Sequence, residues 1–274
     1  MKKIIAIALL LSMALSLTAC SVGSSLPTTT QPENVPTKTI YVLAKQTTTH
    51  YVGEEVTDQY SFENTYDEKG FLAKQLWARS DGVVIEMEVE NDEYGRVIRM
   101  SQTVNDETAV VEYTYDAYGN TASTVRTSNG VVISNEKYTY DADGNILVEE
   151  RTYRGGDVSS SKRIYENGRL VKTEMYSGEE LNQIDVYEYN DQGQITARKT
   201  CTEKGVVLAT YLYTYSDDGR TTTITNEKWR LSTSTTVDEH GNVIRTESKD
   251  AGGGTIIEYT YIAIEIPENY PRKS

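Results

Sequence analysis

Carboxylates are the most plentiful reactive groups in this chain: Asp and Glu number 41 against 27 Lys and Arg. Glu86, Glu88, Glu90, Glu136, Glu149, Glu150 and Glu188 lie where charged and uncharged residues alternate. Two carboxylates brought together across strands could do the acid–base work of a glycosidase. The same alternation also describes the solvated face of a strand, so it assigns no catalyst by itself. His50 and His240 are the only histidines. With one cysteine to spare, they fall short of the three or four ligands of a zinc site. Asp238 and Glu239 sit beside His240, but no G-x-S-x-G element supplies a nucleophile. Asp141-x-Asp143-Gly144-Asn145 offers alternating oxygens of the kind calcium takes. Equivalent stretches carry Ala117, Gln192 or Lys69, so no ligand set repeats and turn capping is the better reading. Cys201 has neither a nearby His nor a glycine-rich helix start to activate a thiolate. These residues predict no enzyme, no metal and no cofactor.

The aromatic residues have more functional potential. There are 21 Tyr but only 2 Phe and 2 Trp. Such a pool suits half-wet surfaces, where the ring packs and the hydroxyl stays bonded or solvated. Tyr113/Tyr115, Tyr138/Tyr140, Tyr187/Tyr189 and Tyr213/Tyr215 lie two apart, hence on one face of a strand. If that face is outward, these Tyr with Trp77 and Trp229 are candidate contacts for a sugar ring or a protein. The competing expectation is that the Tyr face is the inner, packed one.

The elements that position these residues are announced by glycine. Gly70, Gly95, Gly119, Gly144, Gly168, Gly193, Gly219 and Gly241 follow one another at 22 to 26 residues. A period so regular marks a repeat architecture. Three residues before most of them stands a short polar side chain: Asp67, Asp92, Asp116, Asp141, Asn190, Ser216 and Asp238. D-x-x-G predicts a hairpin turn in which Asp caps the backbone and Gly takes positive φ as a bulge. At Asn167-Gly168 the dipeptide predicts a two-residue type I′ turn instead. Looser turns fall half a period later, as at Asp81-Gly82 and Asn129-Gly130. The predicted fold is all-β: a long antiparallel meander of about eight hairpin units of ~24 residues, twisted or coiled on itself. A leading strand near Thr39–Thr48 and a closing strand near Thr255–Ile266 bring the total to about eighteen. Pro267 and Pro271 are expected to stop pairing at the last edge. Apolar residues at glycine plus two and plus three, such as Val97 and Ile98, predict a second covering layer near the tight turns.

The N-terminus reads as an address. Lys2 and Lys3 precede an apolar run, Ile4 to Leu17, too short to span a bilayer as a helix. It ends in Leu17-Thr18-Ala19-Cys20, which resembles the bacterial lipobox. That resemblance implies a signal peptide over 1–19, lipidation of Cys20 and a membrane-anchored, outward-facing protein. A Ser/Thr/Pro-rich tether follows to residue 38, then the β domain over 39–266 and a tail over 267–274. The formal charge is −14, and losing Lys2 and Lys3 makes it two units more negative. Such a chain is repelled by nucleic-acid phosphates and anionic headgroups, so membrane contact is expected through the lipid alone.

Y-x-Y-D-x-x-G-N, as at Tyr113–Asn120 and Tyr138–Asn145, resembles the YD repeat of the Rhs and teneurin-like families. The resemblance runs from about Tyr60 to Tyr261. It implies β-sheet units of the kind that build spiralling shells in large surface or secreted proteins, some around a toxic C-terminal domain. This chain is far shorter than such a shell and shows no payload after the repeats, so only the sheet-building unit carries over. The functional expectation is a non-catalytic binding or scaffold module whose ligand is an envelope glycan or a surface protein. The alternatives are a structural part or remnant of a Rhs-like secretion or toxin system, and a carboxylate-dependent hydrolase.

Overall fold

The structure is a computed structural model that describes residues 37–267. The predicted leader, Cys20, most of the tether and the tail beyond Pro267 lie outside these residues. Eighteen strands make up the described chain: β1 (Thr37–Val52), β2 (Glu55–Tyr66), β3 (Leu72–Arg79), β4 (Val84–Asn91), β5 (Val97–Val104) and β6 (Glu107–Tyr115). They continue with β7 (Thr121–Ser128), β8 (Val131–Tyr140), β9 (Ile146–Tyr153), β10 (Val158–Glu166), β11 (Arg169–Ser177) and β12 (Glu180–Tyr189). The last six are β13 (Ile195–Cys201), β14 (Val207–Tyr215), β15 (Thr221–Asn226), β16 (Leu231–Val237), β17 (Val243–Lys249) and β18 (Gly253–Pro267). Among the described residues no helix is long and apolar enough to cross a membrane.

Each strand pairs antiparallel with the next, and β18 returns to pair with β1 from Gly253↔Val52 to Pro267↔Thr37. The meander is therefore a closed barrel and not a coiled open sheet. Closure corrects a second expectation. Pro267 terminates no edge, because β18 has a partner along its whole length. β1 likewise begins at Thr37, within the segment read as tether. Closure removes the unpaired edges that a sheet this wide would otherwise expose. Eighteen strands at about 4.8 Å give a circumference of about 86 Å, or a backbone diameter of about 27 Å before tilt. Side chains fill a barrel of about eight strands, and one of eighteen has a wider interior; the inward Trp77, Met87, Val111 and Glu136 are nonetheless almost wholly buried.

The tight turns show why the repeat is written as it is. In Asp116-Ala117-Tyr118-Gly119-Asn120, the amides of Tyr118 and Asn120 both donate to Asp116 Oδ1 at 2.9 Å. Gly119 takes φ +95°, a conformation that L side chains resist. Asn120 Nδ2 then donates to the other carboxylate oxygen at 3.0 Å. Asn145 closes the same clamp on Asp141, and Asn242 on Asp238. The Asn after the glycine is thus a working part of the turn. At Gly95 the requirement is also steric, because the Phe71 ring occupies the place of a Cβ. Asn167 and Gly168 both take positive φ, +52° and +75°, as a type I′ turn needs.

Apolar residues just after the tight turns are not covered by a second layer. Ile98 and Ile244 are exposed. The buried apolar cluster lies on the inner face of β2–β5: Phe62, Trp77, Ile85, Met87 and Met100.

Candidate functional site on the inner wall

Tyrosine lines the inner wall, and the ladder pattern shows what most of it does. Between one hairpin unit and the next, pairing stops short of the tight-turn rim. β5 and β6 end their register at Arg99↔Glu112. The carbonyl of Val97, two residues further on, is taken by the Tyr115 hydroxyl at 2.8 Å. The same seam is closed between Tyr140 and Thr121 O at 2.8 Å, Tyr189 and Leu170 O at 2.7 Å, and Tyr215 and Ile195 O at 3.0 Å. Tyr66 does this to Leu43, and Asn91 substitutes its amide at Leu72. A buried carbonyl without a donor is costly. At these positions Phe would fill the seam but leave the carbonyl bare. Burial raises the Tyr115 pKa to about 12, with the neighbouring Tyr113 adding to the rise.

The predicted contact aromatics therefore divide. Tyr115, Tyr140, Tyr189 and Tyr215 have their hydroxyls committed to the backbone. Trp77 is 3% exposed, inside the apolar cluster. Tyr113 packs against that cluster too. Tyr138, Tyr187 and Tyr213 are half-buried on the same inner face. Trp229 is 49% exposed, in the turn between β15 and β16. The inward Tyr face follows the second of the two expectations.

The inner wall changes character around the barrel. From β7 to β13 its middle rows are charged. Glu136, 1% exposed, is bridged by Arg126 on one side and by Arg151 at 2.8 Å on the other. The Tyr138 hydroxyl donates to its second oxygen at 2.6 Å. Burial, then that bond to Glu136, pushes the Tyr138 pKa up. Arg163 reaches Glu149 at 3.3 Å. Asp185 accepts from Thr200 at 2.7 Å and faces Arg198 at 3.8 Å. Four guanidiniums thus meet three carboxylates, in a chain whose total charge is −14. Arg151 Nε, Arg163 Nη1 and Arg198 Nε have no protein hydrogen-bond partner.

Carboxylates singled out in the sequence also divide by face. Glu136 and Glu149 are on the inner wall, each engaged by a guanidinium. Glu86, Glu90 and Glu188 are outward, in ion pairs with Lys74, Arg99 and Lys199. Charged pairs in mid-strand on an outer face are costly in a lipid core. His50 bonds Thr255 on the inner face, and His240 stacks on Tyr41 at 4.1 Å at the tight-turn rim. Cys201 is buried. Among the described residues no group of three or more His, Cys, Asp or Glu could hold a metal ion.

Position in the repeat was the signal that sequence reasoning left unused. Eight residues before the turn glycine stand Phe62, Met87 and Val111, then Glu136 and Asp185. One register position thus carries apolar residues in the first three units and an acidic residue in two of the later ones, with Ser160, Tyr211 and Thr233 in the others.

The Teneurin YD-shell family matches residues 38–158, and a second family, described only as an uncharacterised protein, matches residues 114–228. No curated protein sequence matches the chain. Among solved structures, the Tc holotoxin pore of Photorhabdus luminescens is similar at 16% identity and a TM-score of 0.41. That match covers 73% of this chain but 12% of the toxin chain. A TcdB2–TccC3 structure is similar at 11% identity and a TM-score of 0.31, over 74% of this chain and 15% of that one. A porin-like protein from Bacteroides uniformis is similar at 12% identity and a TM-score of 0.44, over 80% and 96%.

Proposed function

We infer that this chain, a YD-repeat protein of the Rhs and teneurin-like kind, is a non-catalytic binding or scaffold barrel, with an envelope glycan or a surface protein as its ligand. The observation that supports this most is the charged arc of β7–β13. Phe62, Met87 and Val111 show that the frame accepts apolar residues where the arc carries Glu136 and Asp185. Buried ion pairs are weak stabilisers, and apolar residues of similar volume commonly serve stability as well or better. The arc is therefore more than the frame requires. Rows of guanidinium, carboxylate and Tyr along the inner wall suit extended polar recognition. The test is retention of the source organism's envelope polysaccharide, and separately its surface proteins, by the chain from Ser25 to Ser274. Saturable retention that falls with Arg163→Ala plus Arg198→Ala supports the reading. Retention on neither material counts against it.

The same reading includes anchoring through Cys20, which the lipobox-like text motivates. The described chain enters at Thr37 and leaves at Pro267 at the tight-turn rim, so a tether would hold that rim toward the membrane. Metabolic fatty-acid labelling that survives Cys20→Ala would overturn the anchor. A second reading, a structural part of a Rhs-like system, is favoured by the YD-shell match over residues 38–158. A toxin or immunity gene beside this one would speak for it.

A further inference from the structure

Arg198 is the least committed charge of the inner wall. It stands on β13, with Tyr187 of β12 and Tyr211 of β14 opposite it in register. Its guanidinium lies 4.2 Å from the centre of the Tyr211 ring. Asp185 is 3.8 Å away, and its carboxylate already accepts from Thr200 at 2.7 Å and Gln183 at 3.3 Å. Among the described residues Arg198 donates no side-chain hydrogen bond, and its buried Nε has no acceptor. The other three guanidiniums of the arc each hold a carboxylate at 3.3 Å or closer. The Arg198 side chain is nevertheless 31% exposed.

The aromatic residues around it are equally uncommitted. Tyr189 and Tyr215 give their hydroxyls to the backbone, but those of Tyr187, Tyr211 and Tyr213 bond no protein group among the described residues. Tyr213 lies two residues beyond Tyr211 on the same face. Burial raises its pKa and the Arg198 charge partly offsets the rise. The Trp229 ring meets that of Tyr211 at 5.8 Å. Trp229 is 49% exposed and comes from the β15–β16 turn, at the rim opposite the one where the chain enters and leaves. Lys228 adds a second cation, 5.8 Å from the indole. Guanidinium, phenol and indole thus form one column from the inner wall to the rim.

We propose that Arg198, Tyr187, Tyr211, Tyr213 and Trp229 form a subsite for an acidic sugar unit, a sugar ring that carries a carboxylate or a phosphate. This rests on the binding reading above and names its ligand. A guanidinium stacked on an aromatic ring uses its face, and its N–H groups stay in plane to grip two oxygens of one oxyanion. The Tyr hydroxyls beside it donate to the same oxyanion or bond the sugar's own hydroxyls. Trp229 offers a broad apolar face at a wet rim, which suits the apolar face of a sugar ring. An acidic peptide would satisfy Arg198 alone and leave the indole unused. The chain carries a formal charge of −14, but at physiological ionic strength charges further than about 8 Å are largely screened. Arg198 and Lys228 therefore set the local preference, and binding weakens as salt is added.

The test is titration of the chain from Ser25 to Ser274 with four probes: a uronic-acid oligosaccharide, its neutral methyl ester, a sugar-phosphate oligomer and a polyglutamate peptide. Calorimetry gives the affinity, and the indole N–H resonances of Trp77 and Trp229 give the place. At least one of the two acidic saccharides is expected to bind saturably and to shift the Trp229 resonance but not that of Trp77. The methyl ester should bind about tenfold or more weakly than its acid, and polyglutamate more weakly than the acidic saccharide. Arg198→Gln and Trp229→Ala, each measured where unfolding curves show it folded, should each lose about tenfold or more. The proposal is overturned if neither acidic saccharide binds, if the ester or polyglutamate binds equally, if either variant binds as the unaltered chain does, or if the shift falls on Trp77 alone. Should a variant not fold, the indole resonances of the unaltered chain decide. A chain that retains envelope polysaccharide but binds neither acidic saccharide sinks this proposal and leaves the broader reading standing, whereas retention of nothing sinks both.

Discussion

The two arcs of the inner wall use one frame for different ends. From β2 to β6 the inward positions carry Phe62, Trp77, Ile85, Met87, Met100 and Val111, with Gln75 and Gln102 buried beside them. From β7 to β13 the same rows carry Arg126, Glu136, Glu149, Arg151, Arg163, Asp185 and Arg198. Tight turns and seams recur through both arcs, with Asn91 in place of Tyr at Leu72 and a two-residue turn at Asn167-Gly168. The repeat therefore separates its tasks. Turn residues and the second Tyr of each Y-x-Y build the wall, and the strand middles are free to vary. One arc spends that freedom on hydrophobic burial, the other on a charged surface that the wall does not need.

Perturbing Glu136 should have the largest effect on that contrast. Glu136→Gln leaves Arg126, 7% exposed, and Arg151 without their carboxylate, and should cost about 3–5 kcal/mol in urea unfolding. Arg126→Leu with Glu136→Met should recover most of this loss, because Met87 already holds that repeat position. Failure to recover would mean that the arc is structural, and the contrast would break. In the other arc, Met87→Ala should cost about 2–5 kcal/mol and leave ligand retention unaltered.

The seams should respond equally in both arcs. Tyr140→Phe bares the Thr121 carbonyl and should cost about 1 kcal/mol, and Tyr115→Phe the same at Val97. Alkali tests all seams at once. The pKa of Tyr115 rises from 10.0 to about 12 on folding, and those of Tyr140 and Tyr189 also rise, in each case first through burial. Their stabilisation is full below pH 10 and is lost as pH climbs toward 12, so tyrosinate absorbance and unfolding should rise together there.

The smallest effect belongs to the turns. The side chain and then the backbone of Asn145 hold the Asp141 pKa below its ordinary 3.8. That contribution is present above pH 3.8 and fades as the pH falls further. Asn145→Ala should therefore raise the acid midpoint slightly. An unchanged midpoint would make the Asn a passenger.

Much of this frame was legible in the letters. The glycine period and D-x-x-G spacing give the hairpins and the strand number, because turn chemistry is local. Closure was not legible. It depends on β1 meeting β18 more than two hundred residues away, and on a repeat number that brings the two together. The Tyr face was visible as a two-residue spacing. Its task was hidden, because the acceptor at Val97 is defined by where the neighbouring ladder stops. The clamp by Asn120 was written in every G-N yet depends on the turn's shape. The charged arc needed the inner face to be known, since a Glu on an alternating strand reads as solvated until closure turns it inward.

The most direct measurement is equilibrium binding of the source organism's envelope polysaccharide, and of its surface-protein extract, to the chain from Ser25 to Ser274 and to its Arg163→Ala, Arg198→Ala variant. The account predicts saturable binding to one of the two materials and a loss of about tenfold or more in the variant, measured where unfolding curves show both proteins fully folded. Equal binding by both proteins, or binding by neither, would contradict it.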